Sequence, residues 1–161
     1  METLTQARVL ELFEDQNGQL IRKVKVAQRS KAGDIVGCPN TGGYLQVMID
    51  GKMYIVHRVM FLLHHGSMPE HIDHIDCNAM NNHISNLREA TASQNASNKP
   101  MRTDNKSGYK GVSWKASSGK WVSQIAVGRK KLHLGLFDDP KDAAIIYAVN
   151  ALRHHGDFAK L

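Results

Sequence analysis

The chain contains few of the residues that crosslink small proteins or bind structural zinc. Only two of its 161 residues are cysteine, Cys38 and Cys77. Two cysteines cannot build a disulfide framework or a four-cysteine zinc site. We therefore expect both side chains to be free thiols in a reducing cytoplasm.

Long apolar runs are also missing. No run approaches the roughly 18 residues that a membrane-spanning helix needs, and residues 1–5 lack the basic-then-apolar layout of a signal peptide. We therefore expect no membrane partner. Hydrophobic residues make up 42% of the chain and charged residues 22%, which argues against wholesale disorder or a fibrous structure.

Acidic residues are scarce towards the end of the chain, although its overall net charge is +6. Residues 1–98 hold 9 Lys and Arg against 10 Asp and Glu, a net charge of −1. Residues 99–161 hold 12 against 5, a net charge of +7. A basic end on a near-neutral body indicates a module that binds a polyanion, although a solubilising surface would have the same charge.

Turn signals and composition divide the chain into three parts. Residues 1–98 combine a scaffold with a histidine-rich core at residues 57–98. The polar stretch at residues 99–106 is predicted to be a linker. Residues 107–161 are predicted to form a second, smaller domain.

Local patterns predict short helices and strands in the first part. Thr5 is a plausible helix cap, Leu20–Ala27 alternates like a strand, and Asp50-Gly51 is a strong hairpin signal between two β-like runs. For the core we expect a helix at His57–His65 closed by Gly66, strands at His71–Asp76 and Leu87–Ala92, and a short helix capped by Ser93.

Four polar residues of the core could carry hydrolytic chemistry. Asp73 and Asn95 are oxygen donors that suit a hard cation such as Mg²⁺ or Mn²⁺. Histidine has an ordinary pKa near 6.5, so His74 could take a proton from water at neutral pH. Asn86 could hold a loop and the histidine by hydrogen bonds. Each residue also has a plainer interpretation, because single histidines are usually structural and asparagines usually mark turns.

The same stretch resembles the HNH endonucleases, and most closely the homing endonucleases of phages and introns. Asn86 follows His74 by 12 residues, and Asn95 follows Asn86 by 9. The resemblance covers roughly residues 4–98, and its motif residues are His57-Arg58, Ile72-Asp73-His74-Ile75-Asp76, Asn81-Asn82-His83-Ile84-Ser85-Asn86-Leu87-Arg88 and Ser93-Gln94-Asn95.

That resemblance implies a ββα-metal core of two strands and a helix that hold one divalent cation. It implies that His74 is the general base, that Asn86 is the central catalytic Asn, and that Asp73 and Asn95 are metal ligands. Many members end the motif in His and carry Cys-x-x-Cys pairs for zinc, whereas this chain has Asn95 and no such pairs. We therefore expect Mg²⁺ or Mn²⁺ and no zinc.

The last part resembles the Apetala-type DNA-binding domain of plant ethylene-response factors. Its residues are Gly108-Tyr109-Lys110-Gly111-Val112, Gly119-Lys120-Trp121, Gln124-Ile125, Leu134-Gly135-Leu136-Phe137, Ala143-Ala144 and Tyr147. Independently of that resemblance, three β-like runs at Tyr109–Lys115, Lys120–Val127 and Lys130–Phe137 precede a helix that starts at Asp139-Pro140. The whole chain is thus predicted to be α+β, with the nuclease core followed by a three-stranded antiparallel sheet on one helix.

Strand alternation divides this sheet into two faces. Residues expected to face the helix are Val112, Trp114, Trp121, Ile125, Val127, Leu132 and Leu134. Residues expected to bind DNA are Lys110, Ser113, Lys115, Lys120, Gln124, Arg129, Lys130, Lys131 and His133. The plant family reads guanines with several arginines on the outer face, where this chain has Ser113, Lys115, Ala126 and Lys131. We therefore expect this domain to position the protein strongly on DNA but to have only modest base specificity.

Together these features predict a metal-dependent enzyme that hydrolyses phosphodiester bonds of double-stranded DNA, by nicking or by double-strand cutting. We expect a phage homing-type enzyme that works as a monomer in the cytoplasm of a bacterium or a phage-infected host. The alternative is a DNA-binding or regulatory protein built on an inactive HNH core. The intact set of Asp73, His74, Asn86 and Asn95 favours the enzyme.

Overall fold

The chain folds into two compact units, Met1–Glu89 and Ala90–Leu161. A computed structural model describes residues 4–28 and 30–161. The predicted boundary after Asn98 falls within the second of these units. Both units mix helices with small antiparallel sheets, which confirms the α+β class.

The described residues up to Ala90 form two helices and seven short strands. In order, these are α1 (Gln6–Leu12), β1 (Phe13–Gln16), β2 (Gln19–Arg22), β3 (Cys38–Pro39), β4 (Leu45–Ile49), β5 (Lys52–Ile55), α2 (Val56–His65), β6 (His71–His74) and β7 (Leu87–Ala90), with a 3₁₀ turn at Ile84–Asn86 before β7. Strands β1 and β2 pair with each other, β3, β4 and β5 form a second sheet, and β6 pairs with β7.

Several of the predicted local signals are confirmed. The Thr5 hydroxyl accepts a hydrogen bond from the Arg8 amide and caps α1. Asp50 and Gly51 adopt positive φ angles of 47° and 78° and join β4 to β5. A two-residue hairpin turn needs this left-handed conformation at both central positions to match the twist of its strands.

The predicted strand at Leu20–Ala27 is shorter than its sequence pattern suggested. Strand β2 ends at Arg22, which pairs with Phe13, the first residue of β1. Because α1 occupies the chain just before Phe13, β2 has no partner strand on that side beyond Arg22. Alternation alone could not predict where the partner would end.

Helix α2 forms the centre of the first core. It buries Val56, Val59, Met60, Phe61 and Leu62 among the apolar side chains of the surrounding elements. Gly66 ends it with a φ of 71°, as the sequence predicted. The Arg58 guanidinium donates to the carbonyls of Pro69 and Glu70, which ties α2 to the segment that enters β6.

The second unit contains the predicted three-stranded sheet and its helix. Its elements are α3 (Ala92–Ser97), β8 (Val112–Lys115), β9 (Lys120–Val127), β10 (Lys130–Phe137) and α4 (Pro140–His155), followed by a 3₁₀ turn at Gly156–Phe158. The sheet has the order β10-β9-β8 and is antiparallel. Ile125 packs against Tyr147 and Ala151 of α4, and Asp139 caps that helix.

Two predictions within this unit were wrong. Helix α3 is capped by Thr91 and not by Ser93, because Thr91 and Gln94 exchange hydrogen bonds as a reciprocal capping box. Trp114 shares the face of Val112 but is 53% exposed, and its ring lies 5.1 Å from that of Trp121. Its edge strand β8 places it away from the buried cluster that α4 covers.

Gly111 lies in the most crowded surroundings of the described glycines in this unit. A Cβ added there would approach the Tyr147 ring to 2.0 Å and the Gln124 carbonyl oxygen to 2.8 Å, and its φ is 73°. We expect Gly111→Ala to lower the free energy of unfolding of this unit by about 2 kcal/mol or more, from crowding plus left-handed strain. Denaturant unfolding followed by tryptophan fluorescence measures this change.

The matched control for that prediction is Gly119→Ala. Gly119 has a φ of 60° but open space around its Cβ direction, so it isolates the conformational cost. An equal loss of stability in both variants would mean that contact with Tyr147 does not constrain the position.

Candidate active site

A buried ion pair lies at the centre of the β6–β7 sheet. The Asp73 side chain on β6 is buried, and its Oδ2 accepts a hydrogen bond from Arg88 Nε at 2.9 Å and lies 2.8 Å from Arg88 Nη2. Arg88 lies on β7. Burying a carboxylate is costly unless a charged partner compensates, so this pair fixes how the two strands meet.

His74, the last residue of β6, is buried as well. Adjacent residues of a strand point to opposite faces, and the sequence alone left open how both could be used. In the structure the side chains of Asp73 and His74 are both buried, and they contact different residues. Beyond His74 the chain turns back, with the Cys77 amide donating to the His74 carbonyl at 2.9 Å.

Asn82 determines which His74 nitrogen carries a proton. His74 Nε2 lies 3.3 Å from Asn82 Oδ1 within the buried interior. Asn82 Nδ2 is 3.5 Å from the Met80 carbonyl, which orients the amide with its oxygen towards the histidine. Because an amide oxygen only accepts, Nε2 must donate. A neutral His74 then carries its basic lone pair on Nδ1.

Asn86 holds the loop between β6 and β7. Its Nδ2 donates to Asp76 Oδ1 and to the Asn81 carbonyl, both at 2.9 Å. Its Oδ1 accepts from the Asp76 amide at 3.1 Å, and its own carbonyl accepts from the Ile75 amide. One buried amide therefore fastens both ends of the loop that carries Asn82.

Asp76 is the charged member of this loop network. Desolvation works against its negative charge, but hydrogen bonds from the Asn81 side chain, the Asn78 amide and Asn86 outweigh it. The net result is a lowered pKa for the Asp76 carboxyl. The group thus stays ionised near neutral pH and serves as the acceptor around which the loop closes.

Two further aromatic side chains surround His74. His57, at the start of α2, has a ring centroid 4.9 Å from that of His74, in an edge-to-face arrangement. Tyr44 lies 5.4 Å from His57 and 6.1 Å from His74, measured between ring centroids. Burial, followed by the nearby His74 and Arg58, lowers the pKa of His57 to about 3, so its ring is neutral at physiological pH.

The fourth predicted site residue lies in the second unit. Asn95 is half-buried on α3, one residue after the capping-box residue Gln94. β6, β7 and α3 follow one another in the chain order of a ββα core. Among residues 4–28 and 30–161, no three His, Cys, Asp or Glu side chains cluster in a way that could hold a metal. The donor chemistry of one carboxylate and one amide fits a hard cation that keeps several waters, as Mg²⁺ does.

The second unit carries the predicted DNA-binding residues on the sheet face away from α4 and in its turns. Strand register places Gln124 opposite His133, and Lys131 opposite Ala126, on that face. The exposed members of the predicted set are Ser113, Lys115, Gln124, Arg129, Lys130, Lys131 and His133. A cavity of about 770 Å³ adjoins this surface and is lined by residues that include Arg102, Lys106, Gln124 and Lys131.

Two of the predicted lysines are already occupied by contacts within the chain. Lys110 Nζ donates to the carbonyls of Ser97 and Lys99, which ties the incoming segment to the start of β8. Lys120 Nζ lies 3.1 Å from an Asp138 carboxylate oxygen. The remaining exposed positive charge of this surface therefore lies mainly on Lys115, Arg129, Lys130 and Lys131.

Sequence reasoning assigned no role to Asn82, His57, Tyr44 or Arg88. Asn81-Asn82 and His57-Arg58 belong to the motif, but their spacing does not indicate which atoms they contact. No membrane-spanning helix occurs within the described part of the chain.

Comparison with known proteins points to the same region. A family model described as HNH endonuclease matches residues 54–97. Protein 3.8 of Escherichia phage T7 is 33% identical over 97 residues, which cover 59% of this chain and 79% of that protein. An uncharacterized HNH endonuclease of Acanthamoeba polyphaga mimivirus is 32% identical over 111 residues, covering 68% of this chain and 57% of its own.

A different kind of relative is found among plant proteins. An ethylene-responsive transcription factor of Arabidopsis thaliana is 46% identical over 55 residues, which cover 33% of this chain and 30% of that protein. No solved structure matches the chain significantly.

The burial of His57 should be visible in the acid stability of the protein. Because the unfolded chain protonates this histidine near pH 6.5 and the folded protein only near pH 3, its contribution is complete above pH 6.5 and is lost as the pH falls towards 3. Between pH 6.5 and 4.5, we expect the unfolding free energy of the natural protein to fall more steeply than that of His57→Phe. The difference should approach 1.4 kcal/mol per pH unit, about one proton.

Chemical denaturation across that pH range measures the two slopes. His154→Phe is the control, since His154 is exposed on α4 and its replacement should leave the slope unchanged. Parallel pH profiles for the natural protein and His57→Phe would contradict a neutral, buried His57.

Proposed function

The chain belongs to the HNH endonuclease family, and we propose that it hydrolyses phosphodiester bonds in double-stranded DNA with the help of Mg²⁺ or Mn²⁺. The observation that carries this proposal is the environment of His74. A buried imidazole whose Nε2 contacts the Asn82 amide oxygen stands next in sequence to a buried carboxylate, and these are the two groups that the proposal needs as base and metal ligand. We further propose a phage homing-type enzyme that acts as a monomer in the cytoplasm of the host cell.

His74 is the proposed general base. Its Nδ1 takes a proton from water as the water oxygen bonds to phosphorus and the bond from phosphorus to the leaving nucleotide oxygen breaks. The Nε2–H bond to Asn82 keeps the ring in the tautomer with a basic Nδ1. Asn86 supports this arrangement from a distance, because it fastens the loop on which Asn82 lies.

Asp73 and Asn95 are the proposed metal ligands. Arg88 orients the Asp73 carboxylate by binding one of its oxygens, and a carboxylate has further acceptor positions for a cation. The cation, when bound, supplies positive charge that stabilises the developing negative charge on the phosphate. The loss of either ligand should weaken Mg²⁺ binding, and Asp73→Ala should weaken it more because it removes a full charge.

The second unit is the proposed DNA-binding unit. Support comes from its net charge, from the exposed basic side chains of one sheet face, and from the match to a plant transcription factor. The positions where bidentate arginines would read guanine hold Ser113, Lys115, Ala126 and Lys131. We therefore propose that this face contributes position and affinity more than sequence choice.

Replacing His74 tests the proposed chemistry. We expect His74→Ala to lower the rate of Mg²⁺-dependent plasmid cleavage by about 10²- to 10⁴-fold, which is the usual scale for loss of a general base. DNA affinity should be nearly unchanged, since the side chain is buried and makes no charge contact with the backbone. Gel analysis of supercoiled, nicked and linear plasmid measures the rate and shows the cutting mode.

Three comparisons give that experiment its meaning. His154→Ala, at an exposed histidine of α4, should cut normally, and EDTA should stop cutting by the natural protein. If the natural protein binds DNA but never cuts it with any divalent cation, the chain is an inactive DNA-binding protein. Normal cutting by His74→Ala would instead assign the base to another residue.

The salt dependence of binding tests the proposed DNA-binding unit. A triple replacement of Lys115, Lys130 and Lys131 by Ala removes three exposed charges from the proposed face. Each lost phosphate contact should reduce the slope of log K against log salt by about 0.9, so the slope should flatten by roughly 2 to 3. Fluorescence anisotropy with a labelled duplex at several salt concentrations measures the slope.

The matched control removes the same charge from other parts of the second unit. Lys141, Arg153 and Lys160 lie on α4 or beyond it, and their triple alanine variant should retain most of the slope. Equal flattening in the two triple variants would show that net charge, and not the sheet face, governs DNA binding.

A further inference from the structure

His57 occupies an unusual position for a histidine. It lies on the first turn of α2, is 9% exposed, and has its ring against that of His74. Its Nδ1 is buried and has no hydrogen-bond partner. A buried polar atom without a partner costs free energy that a phenylalanine or leucine would avoid. The Nδ1 atom therefore does not stabilise the core, and the feature of His57 that needs an explanation is the contact of its ring with His74.

The geometry argues against two ordinary reasons for a histidine here. His57 is not part of a metal-binding cluster, since no three His, Cys, Asp or Glu side chains among the described residues converge as ligands. A proton relay would need a hydrogen-bonded connection, whereas the contact between His57 and His74 is an edge-to-face contact of rings. What His57 offers its neighbour is the surface of a flat, uncharged ring.

Such a surface has a specific use beside a base. When an imidazole takes up a proton it becomes a cation, and a positively charged neighbour in a buried site would oppose that step. A neutral ring does not oppose it, because it carries no charge. The His57 ring lies 4.9 Å and the Tyr44 ring 6.1 Å from the His74 ring between centroids, so two uncharged rings pack near the base in addition to Asn82.

We propose that His57 is a positioning residue of the nuclease site, whose ring, backed by Tyr44, fixes the plane of the His74 imidazole while Asn82 fixes its hydrogen-bonded nitrogen. This inference rests on the proposed function, because it assigns His57 a part in the action of His74. The ring contact limits rotation of the imidazole about its side-chain bonds, and the Asn82 bond limits its tilt. Together they direct Nδ1 to one place.

Kinetics of three variants test this role. His57→Leu keeps a similar buried volume without a flat ring, and His57→Ala removes the ring altogether. Both should lower kcat by about 10- to 100-fold with little change in KM for DNA, since misplacement of a reacting group by about 1 Å can cost that much. His57→Phe restores a flat ring without nitrogens and should recover most of the lost kcat.

A spectroscopic readout separates positioning from general damage to the fold. In protein labelled with ¹⁵N-histidine, the natural chain should show His74 in one tautomer, with the proton on Nε2. His57→Phe should preserve that signature, whereas His57→Leu should give averaged ring-nitrogen shifts for His74. Circular dichroism and thermal unfolding identify any variant that fails to fold, and in that case the Phe and Leu variants still provide the comparison.

The possible outcomes are distinct. Normal kcat and an unchanged His74 signature in His57→Leu would overturn the positioning role and leave the nuclease function intact. A loss of kcat in His57→Phe as large as in His57→Leu would also overturn it, because the nitrogens would then be the active feature. A natural protein that cuts no DNA, but whose His74 signature still depends on His57, would overturn the proposed function and not the ring contact.

Discussion

The buried pairing of Asp73 with Arg88 is the interaction on which the rest of the site depends. A carboxylate that is only 3% exposed is tolerable because a guanidinium lies against it, with Nε donating a hydrogen bond and Nη2 in ion-pair contact. The two residues belong to β6 and β7, so the requirement to neutralise one charge brings together strands that are separated by a 12-residue loop (residues 75–86). Removing either partner would leave the other charged and buried.

The loop between the two paired strands is held by hydrogen bonds of asparagine side chains. Asn86 satisfies backbone and side-chain groups at both ends of the loop, and Asn82 reaches inward to His74. Amides suit this work because each offers both donors and an acceptor without a charge to desolvate. The loop is therefore held by several hydrogen bonds, and one of its side chains contacts the His74 imidazole.

The two units contribute different physical properties. The first unit buries its charged and polar site residues and has almost no net charge to attract DNA. The second unit carries the excess positive charge on exposed side chains of its sheet and turns. Chemistry needs a dry, ordered environment, whereas affinity for a polyanion needs solvent-exposed charge, so the separation agrees with the proposed roles of the two units.

The sequence by itself determined the elements whose causes are local. The hairpin at Asp50-Gly51, the end of α2 at Gly66 and the cap at Asp139 follow from backbone preferences of single residues, and the sheet-and-helix pattern of the second unit follows from strand alternation. The Asp73-His74 and Asn86 spacing likewise indicated the family. Only the tertiary structure decided what those side chains meet. The end of β2 and the exposure of Trp114 depend on which distant segments become neighbours. So do the hydrogen bonds of Lys110 to backbone carbonyls and the packing of Tyr44, His57 and Asn82 near His74. Because packing and burial are set by contacts far apart in the chain, no local pattern contains them.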